Sequence, residues 1–105
     1  GPVLAVMPFD TEEEVIGLAN STDYGLVGGL FTTDLARAHR VAARIEAGLV
    51  SVNTFRPVHC MLPYGGYKLS GIGRENSMQV MDQFTETKTV VVDLSTDMPA
   101  DPFAD

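Results

Sequence analysis

Leu26-Val27-Gly28-Gly29-Leu30-Phe31, then Thr33-Asp34-Leu35-Ala36-Arg37-Ala38-His39-Arg40-Val41-Ala42-Ala43-Arg44-Ile45, then Gly48-Leu49-Val50-Ser51-Val52-Asn53 decide the fold. The first and last runs are short and mostly apolar, which predicts strands. Between them Leu35, Ala38, Val41, Ala42 and Ile45 recur at helical spacing, so one face of a helix is apolar. Thr33 or Asp34 caps its start. Gly48 is placed to end it. Strand, helix and strand joined by short connections predict a right-handed crossover and a parallel pair. Gly28-Gly29 predicts a bulge or a close backbone approach.

Upstream the same grammar repeats. Val3-Leu4-Ala5-Val6-Met7 reads as a buried strand, ended by Pro8. Thr11 and Glu14 form a capping box, and Val15, Leu18 and Ala19 give the following helix an apolar face. Asn20 to Gly25 holds turn formers. The expected fold class is therefore α/β: a parallel strand-helix-strand-helix-strand sheet with helices packed on it. Downstream lie a long loop from Thr54 to Ser77, a short helix marked by Met78, Met81 and Phe84, and a last strand from Thr87 to Leu94. Ser95 to Asp105 reads as a frayed tail.

With 105 residues and 45% hydrophobic content, a single folded unit is expected, burying roughly 65% of its unfolded surface. A net charge of −7 argues against nucleic acid, which needs a basic face, and against an anionic membrane surface. No apolar run is long enough to span a bilayer. The only cysteine is Cys60, so no internal disulfide forms and a reducing, cytoplasmic compartment is expected. Gly1-Pro2-Val3 has no initiator methionine and no basic leader, so the chain reads as the late part of a longer protein.

Several residue groups invite a chemical reading. Arg37, Arg40 and Arg44 line one helix face, but in so acidic a chain a solvated face explains them better than a phosphate site. Glu12, Glu13 and Glu14 are spread around a helix and suit its positive end. Residues 65–75 are glycine-rich, yet Lys68 follows Tyr67 and precedes Leu69, which is not P-loop spacing. Gly71-Ile72-Gly73 begins a dinucleotide fingerprint without completing it. His59 and Cys60 are adjacent and lack a third orienting residue, so a thiolate–imidazole pair is disfavoured. His39 reads as a surface residue. No metal-ligand spacing is present.

Pro63-Tyr64-Gly65-Gly66-Tyr67-Lys68-Leu69-Ser70-Gly71-Ile72-Gly73-Arg74-Glu75 resembles the Pro-Phe-Gly-Gly-x-Lys-x-Ser-Gly-x-Gly-Arg-Glu signature of the aldehyde dehydrogenase superfamily. Gly1-Pro2-Val3, Ala19-Asn20 with Tyr24-Gly25-Leu26, Gly48-Leu49-Val50-Ser51-Val52-Asn53 and Glu86-Thr87-Lys88-Thr89-Val90 resemble further stretches of that family, in its order. The resemblance covers about residues 1–94. It implies that residues 1–85 are the C-terminal portion of a catalytic domain, 86–94 an oligomerisation strand and 95–105 a flexible tail.

It also implies an oxidoreductase that converts an aldehyde to a carboxylic acid with NAD or NADP, as a homo-oligomer, dimer or tetramer. The nucleophilic cysteine, the nucleotide fold and the water-activating glutamate of the family match no position here, so the chain alone is expected to be inactive and to bind no cofactor. What carries over is the substrate-anchoring loop between Thr54 and Pro63. Arg56, Val58, His59 and Cys60 occupy its variable part. Tyr64 matches an aromatic, often Phe, on the aldehyde tunnel wall, and its hydroxyl makes that wall less apolar. Arg56 either favours an acidic aldehyde or faces solvent. Thr89, Val90, Val91 and Val92 fall on the subunit-contact strand. The alternative role is a non-catalytic association module using an exposed strand edge.

Overall fold

The computed structural model describes residues 1–55 and 58–97. Helix α1 runs Glu12–Asn20, with Thr11 as its cap: the Thr11 hydroxyl accepts from the Glu14 amide at 3.2 Å. Glu14 closes the box one residue early, accepting from the Asp10 amide at 2.9 Å. Strand β1 is Tyr24–Gly25 and strand β2 is Val27–Leu30. Helix α2 covers Leu35–Ala42 and is capped by Asp34, whose carboxylate accepts from the Arg37 amide at 3.0 Å. Strand β3 is Leu49–Val52, strand β4 is Tyr67–Lys68, and a short 3-10 helix spans Met78–Gln83.

The crossover predicted from the central stretch is present. β2 and β3 pair in parallel, Val27 opposite Leu49 through Leu30 opposite Val52. The ladder is unbroken, so Gly28 marks no bulge. A Cβ there would come within 2.7 Å of Ile45 Cγ2, and the glycine lets the segment after α2 lie on the strand. Ile16 from α1 and Ala38 and Val41 from α2 are the buried apolar side chains of the described residues. Leu35, counted on the same apolar face, is 72% exposed because it sits in the first turn of α2, beyond the reach of α1.

Four expectations are corrected. Val3–Met7 makes no ladder: Val3, Leu4 and Val6 are 89%, 84% and 80% exposed. Thr87–Leu94 likewise has no strand pairing, and Val90, Val91, Val92 and Leu94 are all exposed. A continuous apolar strand is stable only with both faces covered, and both segments lie exposed. The parallel sheet is thus two-stranded, not three.

The third correction concerns the end of α2, which comes at Ala42 rather than beside Gly48. Asn20 explains this: its side-chain amide donates to the Arg44 carbonyl at 2.8 Å and accepts from the Glu46 amide at 2.9 Å. Those groups are thereby taken out of a continuing helix. The fourth concerns burial. The accessible surface is 9056 Å², whereas a folded chain of this mass exposes about 5,700 Å²; roughly 45% of the unfolded surface is buried, not 65%. The radius of gyration of 22.7 Å exceeds the approximately 13 Å of a compact chain this long.

Charge supplements the thin packing. Arg40 grips Glu12 through two hydrogen bonds of 2.6 and 2.8 Å, Arg37 approaches the same carboxylate at 3.5 Å, and Arg44 grips Glu13. The arginine face is therefore paired with the acidic first turn of α1, not simply solvated. The hydrogen bond from Arg40 holds the Glu12 carboxyl below its ordinary value of 4.5, and that from Arg44 does the same for Glu13. Folded values below the unfolded ones mean that the pairing stabilises fully above pH 4.5 and is lost as pH falls through the depressed values. In the polypeptide that carries this chain, the thermal midpoint of a Glu12→Gln/Glu13→Gln variant should lie below wild type at neutral pH. The gap should close below pH 4.5 and in about 1 M salt. A gap independent of both would refute the pairing as a stabilising contact.

Candidate functional site

The candidate site grows from the C-terminal end of the β2–β3 ladder. Asn53 follows β3 with φ 54°, a left-handed conformation that asparagine tolerates better than most residues. Its side chain acts as one more strand residue, accepting from the Thr32 amide and donating to the Thr32 carbonyl, both at 2.8 Å. Buried Ser51 donates to the Thr54 carbonyl at 3.1 Å. These bonds direct the chain out of the sheet at Thr54, where the predicted substrate loop begins.

The loop returns along a glycine-rich path tied at several points. Tyr64 and Glu75 exchange backbone hydrogen bonds of 2.8 and 2.6 Å as an isolated antiparallel bridge. β4 pairs antiparallel with β1, Tyr24 opposite Lys68 and Gly25 opposite Tyr67. The Ser70 hydroxyl accepts from the Gly25 amide at 3.0 Å. Gly48 sits directly beneath the loop: a Cβ there would overlap the Gly65 carbonyl.

Lys68 is the central tie. Its ammonium donates to the Asn20 carbonyl at 2.8 Å and the Thr22 carbonyl at 3.2 Å, and pairs with Glu46 at 2.6 Å. A cation at the C-terminal end of α1 is placed where the helix dipole favours it. Arg74 donates to the carbonyls of Gly66 at 3.1 Å and Gly73 at 2.6 Å, and its guanidinium lies 5.6 Å from the Tyr67 ring centre. Both cations of this stretch thus bind their own backbone. Lys68 and Arg74 therefore do not fit a phosphate cradle, because their donors are engaged within the chain.

The predicted site residues fall into separate places. Tyr64 is half-buried and borders a cleft of about 310 Å³ whose wall includes Leu26, Ile72, Arg74, Val80 and Phe84. Val58, His59 and Cys60 are exposed and do not line that cleft. Arg56 lies outside the described residues. The Cys60 sulfur is 3.9 Å from His59 Nδ1, and that nitrogen already accepts from the Met61 amide at 3.1 Å. With its lone pair engaged, Nδ1 is not placed to take the thiol proton. Thr89, Val90, Val91 and Val92 are exposed and make no ladder among the described residues. Among the described residues no group of three or more His, Cys, Asp or Glu side chains converges as a metal site.

Four contributors escaped the sequence reading: Asn20, Glu75, Lys68 as a clasp, and Ser77. Asn20, Lys68 and Glu75 stood inside the quoted family-like stretches, which was the available signal. Ser77 donates its amide to the Cys60 carbonyl at 2.7 Å. It has φ 56° and ψ 179°, and Asn76 before it has φ 59°. Serine enters that region at a cost of about 1–3 kcal/mol, since it is essentially a glycine conformation.

Comparison with known proteins follows this geometry. The model of the "Aldehyde dehydrogenase family" matches residues 1–90. The chain is 53% identical over 93 residues to a 4-trimethylaminobutyraldehyde dehydrogenase of Oryzias latipes, covering 89% of this chain and 18% of that protein. It is 53% identical over 92 residues to betaine aldehyde dehydrogenase 1 of Rhizobium meliloti strain 1021, covering 88% and 19%. Among solved structures, an aldehyde dehydrogenase from Bacillus cereus in complex with NAD+ superposes with a TM-score of 0.88 at 44% identity, covering 90% of this chain and 19% of that one. The chain thus spans about a fifth of the length of these relatives.

Proposed function

The chain belongs to the aldehyde dehydrogenase family, and from that premise we propose that it is the substrate-walling and subunit-contacting portion of an enzyme that oxidises an aldehyde to a carboxylic acid with NAD(P)+. Residues 1–85 would complete a catalytic domain and residues 86–94 would join a partner subunit's sheet, with 95–105 a tail of which 98–105 lie outside the described residues. The observation that carries the substrate reading is Tyr64, held at the rim of its cleft by the double hydrogen bond to Glu75. The thiolate attack and the hydride transfer of the family fall to residues of the remaining polypeptide. Cys60, the thiol of this chain, is exposed and lacks a base.

The poor burial supports the same reading. Val3, Leu4 and Val6 at one end, and Val90, Val91 and Val92 at the other, form apolar runs with no cover among the described residues. Thr89 to Val92 would then pair with a second copy, making a dimer or tetramer. An exposed strand edge also favours the weaker alternative, association without catalysis.

The named relatives suggest a substrate class. Trimethylaminobutyraldehyde and betaine aldehyde both carry a trimethylammonium head, and an aromatic ring on the cleft wall, as Tyr64 supplies, attracts such a cation when its face is turned to it. In the polypeptide that carries this chain, betaine aldehyde with NAD+ should yield NADH, and Tyr64→Leu should raise its KM about tenfold while leaving a neutral aldehyde little changed. Equal effects on both aldehydes would remove the cation reading. No turnover with any aldehyde, neutral, cationic or acidic, would remove the enzymatic one. The purified 105-residue chain should give no NADH at all.

A further inference from the structure

We propose that Ser77 is a positioning residue that sets the substrate loop, acting through its backbone rather than its hydroxyl. This rests on the loop's role proposed above. The segment 58–62 carries three of the predicted specificity residues, Val58, His59 and Cys60. Its own hydrogen bonds are local: Met61 donates to His59 Nδ1, and Leu62 donates to the His59 carbonyl at 2.9 Å. Among the described residues, the bond from the Ser77 amide to the Cys60 carbonyl, 2.7 Å, is what joins it to the rest of the chain.

The direction of that amide comes from an unusual pair of conformations. Asn76 and Ser77 are both at positive φ, 59° and 56°, so the chain reverses immediately after the Tyr64–Glu75 bridge. The Ser77 N–H lies in the peptide plane after Asn76, so an ordinary φ at Asn76 would turn it away from the loop, while φ at Ser77 sets how the 3-10 helix leaves that amide. The Ser77 hydroxyl serves the other side, accepting from the Gln79 amide at 3.2 Å at the start of the 3-10 helix. Strain at a non-glycine residue persists where the surroundings over-determine it, and such strain gathers at sites that must be held in one place. Ser77 has a bond on each side and a backbone that other L residues enter only at a cost. It therefore couples the position of loop 58–62 to the 3-10 helix that lines the Tyr64 cleft.

The test uses the full polypeptide and two variants. Ser77→Gly keeps the amide and removes the cost of holding φ 56°, so the tethered conformation is favoured more strongly. Ser77→Ala keeps the strain and loses only the hydroxyl. Amide exchange at residues 61, 62 and 77 should be about fivefold slower in Ser77→Gly and near wild type in Ser77→Ala. For a straight and a branched aldehyde, the ratio of KM values should widen about fivefold in Ser77→Gly with kcat preserved, and hold in Ser77→Ala. Unchanged exchange in Ser77→Gly overturns the proposal whether or not the protein turns over aldehyde. Equal shifts in both variants would also overturn it, by placing the effect in the hydroxyl. An inactive wild type with the expected exchange pattern would sink the enzymatic reading and leave the tether standing.

Discussion

Gly48→Ala should lower the stability of the polypeptide by about 3 kcal/mol or more, the upper end of what overpacking costs. A Cβ on Gly48 would overlap the carbonyl of Gly65 and lie 2.8 Å from its carbon. Both atoms are backbone, so no rotamer change relieves the clash. The loop must lift, and lifting it works against the Gly48 amide bond to the Gly25 carbonyl, 3.0 Å, and the Lys68 clasp behind it. For a domain of about 150–250 residues that corresponds to a fall in thermal midpoint of roughly 6–12 °C. The same substitution at Gly17 provides the contrast: it lies in α1 with nothing within 4 Å of the added carbon. There alanine should stabilise by about 0.5–1 kcal/mol, because glycine is a poor helix former. Calorimetry of the two variants checks the opposite signs; a Gly48→Ala protein as stable as wild type would show that Gly65 does not rest on Gly48.

Lys68→Met should cost about 1–2 kcal/mol: a hydrogen bond to a charged group contributes roughly 1.5–3 kcal/mol, and solvent at this exposed position reduces that. The methionine keeps the apolar stem but leaves the Asn20 and Thr22 carbonyls and the Glu46 carboxylate without their donor. Lys68 also holds φ 53°, a conformation that its ammonium contacts support and a methionine's would not. Lys68→Arg should recover only part of the loss, because a planar fork cannot meet three acceptors arranged around a point. Urea denaturation of the three proteins measures this order. If Lys68→Met matched wild type, the lysine would be a solvated side chain and the loop would be held elsewhere.

Neither variant touches the Tyr64 cleft directly. Both act by moving the floor under it: Gly48 through Gly65, next to Tyr64 in sequence, and Lys68 through β4, which follows it. A loss of stability should therefore come with altered KM values, while the Glu12→Gln/Glu13→Gln variant, which breaks the ion pairs between α1 and the arginines of α2, should leave KM alone.

The residues themselves determined the local elements. Thr11 and Asp34 carry their caps in their own side chains, and the β2–α2–β3 unit follows from apolar spacing that acts within a few residues. The family-like glycine stretch likewise located the loop and marked Tyr64. Only the tertiary structure decided what the long-range partners were. Asn20 ends α2 by bonding a carbonyl 24 residues away, and Lys68 reaches back 48 residues to Asn20. Ser77 holds Cys60 through a backbone amide, a group every residue but proline carries and no sequence pattern distinguishes. The strands expected at Val3–Met7 and Thr87–Leu94 mark the same divide from the other side. Composition gives a segment the means to pair, but a ladder exists only where folding brings a second edge to it.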